Sequence, residues 1–200
     1  MIHSDWENNI QHQTKKQYLQ LHSSYIVTQV KSGVMLIDQQ LAHERILFEH
    51  FSELFEKRES QPLQQKLFPQ VIEFSQTDAA LMKEILGDIK IIGFDIDEFG
   101  AGSFVVNATP PDIKDGNLKQ LLEGVLENYK QSKSVNMDRN TIIAKALAKN
   151  MSIKHGKQLH SEEMSSLVDS LFACKLPYSS TEGKPTISII TIEELEKRFK

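Results

Sequence analysis

The chain has 200 residues, 40% of them hydrophobic, which is enough for one ordinary domain or two small lobes with a core. A formal net charge of −4 gives no electrostatic case for strong nucleic-acid binding by this segment alone. The single cysteine, Cys174, excludes an intramolecular disulfide and fits a reducing cytoplasm. No apolar run approaches the roughly 20 residues of a membrane span, so we expect a cytoplasmic protein without membrane contact.

The first predicted elements are a β-hairpin that leads into a long helix. Residues 1–20 are polar and aperiodic, and we interpret them as a disordered linker end without a signal peptide. Residues 25–30 and 34–37 are apolar and β-branched around a Lys-Ser-Gly turn, which is typical of paired strands. Apolar residues then recur at helical spacing to about Arg58, and the carboxylate of Asp38 is the natural N-cap.

The middle of the chain is predicted to mix helices and strands. The predicted strands are 71–74, 89–98 and 103–108, and the predicted helices are 75–86 and 118–129. Gly87 is expected to end the first of these helices, because glycine is common just after a helix. The acidic residues Asp95, Asp97 and Glu98 are expected to be solvated charges at a strand edge.

The last third predicts three more helices and one strand. The predicted helices are 142–153, 160–172 and 192–199, and the predicted strand is 186–190. Gly156 is expected to stop the first of these helices. The pattern as a whole is typical of an α+β fold.

The stretch from Asp38 to Glu49 carries the most chemistry. It reads Asp-Gln-Gln-Leu-Ala-His-Glu-Arg-Ile-Leu-Phe-Glu. An Asp, a His and two Glu at a strand–helix corner can seat a metal or an acid–base pair. The plainer interpretation is a capped helix with a solvated acidic face.

This stretch resembles the endonuclease signature of the C-terminal domain of the MutL mismatch-repair family, Asp-Gln-His-Ala-x-x-Glu-x-x-x-x-Glu. Asp38, Gln39, Glu44 and Glu49 match in register, whereas Gln40 replaces the His of the signature. The following Ala is replaced by a Leu. The resemblance extends from about residue 25 to the C-terminus and is weakest in the middle third.

The resemblance implies a two-lobe organisation. Residues 21–58 and 134–200 would form a dimerisation lobe, and residues 59–133 an inserted external, regulatory lobe. The domain would hold two subunits together so that N-terminal ATPase domains outside this chain can clamp DNA. ATP and Mg²⁺ are expected only in those domains, and no cofactor is expected here. The implied partners are a second copy, the mismatch-recognition protein MutS, a sliding clamp and, weakly through the full-length protein, DNA.

A second short motif follows the first helix. The family carries a Gln-x-x-Leu-x-Pro element that docks on the replicative sliding clamp. Gln64, Leu67 and Pro69 match this element, and Phe68 adds an aromatic anchor. Such a peptide would fill a preformed pocket with its apolar side chains. The alternative is an ordinary strand entry with Leu67 and Phe68 in the core.

The metal-binding positions of the family are eroded in this sequence. Nicking members carry Cys-Pro-His-Gly-Arg-Pro before the last strand, where this chain has Ser-Thr-Glu-Gly-Lys-Pro at residues 180–185. Ser180 and Glu182 therefore replace a thiolate and an imidazole, the ligands that zinc-like metals favour. The remaining candidate ligands, Asp38, Glu44 and Glu182, are oxygen donors suited to a weak hard-cation site at best.

We therefore expect a dimerisation domain that does not cut DNA, with Asp38, Gln40, Glu44 and Glu49 as vestigial motif positions. The corner is expected to lie near residues 180–185, with Asp38 capping its helix and Lys184 or Arg45 contacting an acid. Two alternatives remain open. One is an active metal-dependent nicking endonuclease that uses Asp38 and Glu44. The other is an α+β interaction module from outside the family.

Overall fold

A computed structural model describes residues 17–58, 63–111, 113, 118–132 and 137–200. The described residues form β1 (Leu19–Leu21), β2 (Tyr25–Val30), β3 (Gly33–Asp38), α1 (Gln39–Lys57), β4 (Gln64–Glu73), α2 (Gln76–Ile91), β5 (Asp95–Glu98), β6 (Ser103–Thr109), α3 (Leu118–Ser132), α4 (Arg139–Met151), α5 (Ser161–Ala173), β7 (Ile187–Thr191) and α6 (Ile192–Lys197). This mixture of helices and antiparallel sheets confirms the predicted α+β class. In the described part of the chain, no helix is long and apolar enough to cross a membrane.

The first sheet joins the two ends of the described chain. Its strand order is β1-β2-β3-β7, and every pairing is antiparallel. The predicted hairpin is the β2–β3 pair. Burial alternates along both strands, and Ile26, Met35 and Ile37 form one apolar face. Leu167 and Leu171 of α5 belong to the same core cluster, so this helix covers that face.

The second sheet has the order β4-β6-β5 and carries the larger core. The second half of α1 contributes Phe51 and Phe55 to this core. Helix α4, which the resemblance assigned to the dimerisation lobe, contributes Ile143 and Leu147 to the same core. Helix α1 also contributes Ala42 to the core beneath the first sheet, so this helix takes part in both cores.

Two predicted boundaries in the middle segment are wrong. Helix α2 does not end at Gly87 but continues to Ile91, so the first four residues of the predicted strand 89–98 are not extended. The buried side chains of α2 include Ile85 and Ile89, one turn apart, and this apolar face extends the helix past the glycine. The helix stops at Gly93, whose φ of 102° lies in the left-handed region that ends helices.

The predicted linker, residues 1–20, lies mostly outside the described residues. β1 lies across its boundary, since Leu19 and Leu21 pair with Val27 and Tyr25. The edge of the first sheet therefore begins at residue 19.

Candidate functional site

The corner at Asp38 ends β3 and begins α1. The Asp38 carboxylate accepts hydrogen bonds from the backbone N–H groups of Gln40 at 3.0 Å and Leu41 at 2.9 Å, which confirms the predicted N-cap. Nε2 of His155 lies 3.0 and 3.1 Å from the two Asp38 oxygens. His155 was not among the predicted site residues, and its separation of 117 residues from Asp38 left no local signal.

Gln39 anchors a second segment on this corner. It is fully buried, and its amide nitrogen donates to the carbonyl of Ser23 at 2.8 Å and to those of Lys154 and Lys157 at 3.1 Å. Its amide oxygen accepts from Nε2 of Gln20 at 2.6 Å. One buried amide therefore connects the β1–β2 turn to residues 154–157.

The side chains of Gln40 and His43 bind the same segment. The amide oxygen of Gln40 accepts from the N–H of His155 at 3.3 Å, and Nδ1 of His43 accepts from the N–H of Ile153 at 2.9 Å. Gln40, which replaces the family's His, therefore hydrogen-bonds to the backbone of His155 in this chain.

The turn at residues 179–186 forms the other side of the corner. Glu44 is 5% exposed and accepts from the hydroxyl of Thr181. Nε and Nη2 of the buried Arg45 donate to the carbonyls of Ser179 at 2.6 Å and Ser180 at 2.7 Å. The predicted meeting of the corner with this turn is confirmed.

Glu49, the last acid of the signature, holds the segment before this turn. Its carboxylate accepts from the N–H groups of Lys175 at 2.6 Å and Leu176 at 3.1 Å. Nη1 of Arg45 lies 3.7 Å from the same carboxylate. In this fold, Glu49 therefore fixes the backbone of residues 175 and 176.

Lysines surround the remaining carboxylate, Glu182. Nζ of Lys184 lies 2.9 Å and Nζ of Lys149 3.5 Å from its oxygens, so the predicted pairing of Lys184 with an acid is confirmed. The Lys184 hydrogen bond lowers the pKa of Glu182, and the same bond raises the pKa of Lys184. Burial lowers the pKa of Lys154, and the charge of Glu44 opposes that shift.

The clamp-like segment lies in a bulge of β4. Gln65 pairs with Ala108 and Gln70 with Val106, so residues 66–69 bulge opposite a single residue of β6. Leu67 is 94% and Phe68 86% exposed. The alternative that placed these two side chains in the core is therefore wrong.

A family model described as the MutL C terminal dimerisation domain matches residues 18–159. The chain belongs to the MutL C-terminal dimerisation domain family. Three proteins named DNA mismatch repair protein MutL illustrate the similarity. The protein from Chlorobium limicola is 34% identical over 93% of this chain and 30% of its own length. The protein from Chloroherpeton thalassium is 38% identical over 90% of this chain and 28% of its own length. The protein from Phocaeicola vulgatus is 36% identical over 92% of this chain and 30% of its own length. The chain thus spans about a third of the length of these curated relatives.

The carboxylates at the corner of this MutL-family domain already have partners within the protein. The Asp38 carboxylate is used by two N–H groups and His155, and Glu182 is paired with two lysines. Within the described ranges, no three His, Cys, Asp or Glu side chains are grouped to hold an ion. A metal would have to displace these partners, and positive side chains beside the site oppose it.

Cys174 is the one thiol of the sequence. It is half-buried at the end of α5, and its thiol donates to the carbonyl of Ser170 at 3.5 Å. Burial raises the pKa of the Cys174 thiol to about 11. The Cys174 thiol is therefore protonated at neutral pH in this environment.

Proposed function

We propose that this chain is the homodimerisation domain of a MutL DNA mismatch repair protein, with the open face of the first sheet as the interface. The observation that carries the proposal is an apolar face of this sheet whose side chains belong to neither of the two cores. Its apolar members are Leu19, Leu21, Tyr25, Val27, Val34, Leu36 and Ile190. Leu19 is 70% exposed, although it pairs across the sheet with Val27. Large exposed apolar patches mark interaction sites.

A second copy suits this face because a two-fold interface brings the same patch together from both subunits. Two sheets that pack face to face interdigitate their side chains about 10 Å apart. α5 covers the opposite face, so one side of each sheet is free for the partner. In the two-lobe arrangement that we propose, the second sheet with α2 and α3 forms the external lobe and stays outside this interface.

Sedimentation equilibrium of the wild-type chain and of Leu36→Asp tests this interface. We expect a dimer of the 22.8 kDa chain at tens of micromolar, and a monomer for Leu36→Asp because a buried unpaired carboxylate is costly. Val71→Asp is the matched control, since Val71 is 51% exposed on the second sheet. A monomeric wild type, or a Leu36→Asp variant that remains dimeric, would contradict the proposal.

The dimer serves mismatch repair by linking two subunits. One stable contact raises the effective concentration of the ATPase domains that we expect elsewhere in the full-length protein. These domains can then close on DNA in response to mismatch recognition by MutS. The domain itself needs no cofactor for this role.

A second function, docking on a replicative sliding clamp, is supported by the bulge of β4. Leu67 and Phe68 extend into solvent, and Gln64 is also exposed. Exposed apolar side chains on a short extended segment are what a preformed pocket can bind.

Surface plasmon resonance against the sliding clamp tests this docking. Gln64→Ala with Leu67→Ala should abolish binding and leave the dimer intact, whereas Gln70→Ala on the same strand should bind normally. Binding that survives the double substitution would refute the docking proposal.

We propose further that the corner at Asp38 is structural and does not cut DNA. Its carboxylates contact helix and loop groups of this chain, as described above. Manganese-dependent nicking of supercoiled plasmid by the full-length dimer, lost on Asp38→Asn, would overturn this proposal. Zinc recovered in stoichiometric amount from protein purified without added metal would also overturn it.

A further inference from the structure

The described sheets have four edges, and three of them carry features that discourage pairing with another strand. β1 is only three residues long. β4 contains the bulge with Pro69, and three of the four residues of β5 are acidic. Short length, bulges, proline and charge are common protections of edge strands. β7 has none of these, since it reads Ile-Ser-Ile-Ile-Thr and pairs with β3 in regular register.

The register shows which backbone groups of β7 are free. The N–H of Asp38 donates to the carbonyl of Thr186, and the N–H of Ile192 donates to the carbonyl of Ser32. In an antiparallel ladder, these bonds flank positions whose own N–H and C=O groups point away from the partner strand. Ile187 and Ile189 therefore direct their backbone groups outward, and no other strand of the described residues lies beside them.

An apolar surface lies at one end of this edge. Leu176 is 60% and Tyr178 65% exposed, and the ring centroid of Phe172 lies 6.4 Å from that of Tyr178. The N–H of Thr186, just before β7, donates to the carbonyl of Tyr178 at 3.3 Å, which places this surface beside the start of the strand.

Two side chains of α1 hold the backbone of this surface in place. Glu49 binds the backbone at Leu176, and Arg45 binds the carbonyl of Ser179, as the corner geometry shows. A preordered surface loses less conformational entropy when a partner binds.

We propose that the outer edge of β7 binds an extended peptide of another protein by strand addition, with apolar side chains at alternating positions. Ile187 and Ile189 supply the backbone hydrogen bonds, and the surface of Phe172, Leu176 and Tyr178 receives an apolar side chain.

The short free edge favours a peptide over a second copy of this chain. Two outward residues cannot bury the area of roughly 1,000 Å² or more that a stable protein interface needs. The proposed dimer also packs the sheets face to face, about 10 Å apart. Such packing does not pair strand edges, which lie about 4.8 Å apart, so it leaves the edge of β7 unused. The choice of occupant thus rests in part on the proposed face-to-face dimer.

The test uses the dimeric chain, a displayed library of random short peptides and the variant Ile189→Pro. Proline at position 189 removes an outward N–H and no bond to β3, so the ladder is retained. Ile189→Thr is the matched control, because it keeps the N–H and a β-branched side chain. Peptides selected on the wild type should bind Ile189→Pro at least roughly tenfold more weakly and Ile189→Thr normally.

Hydrogen exchange on the same samples assigns the binding position. The amides of Ile187 and Ile189 should exchange rapidly in the free dimer and slowly with a selected peptide. Failure to select peptides, or peptides that bind Ile189→Pro equally well, would overturn the proposal. Slow exchange of both amides in the free dimer, increasing with protein concentration, would assign the edge to a second copy and also overturn it. Sedimentation of each sample reports the dimer separately, so loss of the dimer is distinguished from loss of peptide binding.

Discussion

Arg45 connects the helix of the corner to the segment before β7, and replacing it with Met should destabilise the fold strongly. The side chain is 6% exposed and donates to two carbonyls, those of Ser179 and Ser180. Hydrogen bonds from a charged group contribute about 1.5–3 kcal/mol each, so losing both should cost about 3–6 kcal/mol. Glu49 keeps its two backbone donors in the variant, so the cost comes mainly from the two carbonyls.

Urea unfolding followed by circular dichroism measures this cost, at one fixed protein concentration because a dimer's stability depends on concentration. With a denaturant slope of about 2 kcal/mol/M, the midpoint should decrease by about 1.5–3 M. Lys57→Met is the control on the same helix, because Lys57 pairs with Glu53 at 2.7 Å on the exposed surface. A midpoint of Arg45→Met that lies within error of the Lys57→Met midpoint would refute the reasoning.

Four further predictions each concern a single residue. Gln39→Ala should lower the free energy of unfolding by about 2–3 kcal/mol and accelerate amide exchange in residues 153–159, because buried carbonyls lose their donor; normal exchange there would contradict this. Gly33→Ala should destabilise by about 2–3 kcal/mol, because φ is +150° and a Cβ would lie 2.1 Å from the carbonyl oxygen of Ile190. Gly87→Ala, with no atom within 4 Å of its Cβ, should instead stabilise α2 by about 0.5–1 kcal/mol, and equal urea midpoints for the two variants would be inconsistent with this geometry. Cys174 should react with iodoacetamide at pH 8 about 100-fold more slowly in folded than in urea-unfolded protein, since a pKa raised from 9.0 to about 11 reduces the thiolate fraction; equal rates would contradict the burial.

Several elements were predictable because their signals are local. The alternation of apolar residues specified the β2–β3 hairpin, and the abrupt end of the apolar run specified Asp38 as a cap. Resemblance to the family predicted that the corner lies near residues 180–185. These signals depend on period, cap chemistry and motif order, which a single sequence contains.

Other features depended on contacts between distant residues. The end of α2 was misjudged because a glycine after an apolar run resembles a helix end, whereas the buried face of Ile85 and Ile89 continues past Gly87. The exposure of Leu67 and Phe68 depends on a bulge whose register is set by β6.

The sequence by itself determined the fold class, the hairpin, the capped helix and the family, because periodicity and short motifs are written into neighbouring residues. Only the tertiary structure decided what the motif residues do. His155 reaches Asp38 from 117 positions away, and Glu49 binds backbone at residues 175 and 176. The partners of a polar side chain depend on how separate segments pack together. Spacing along the chain does not contain that information.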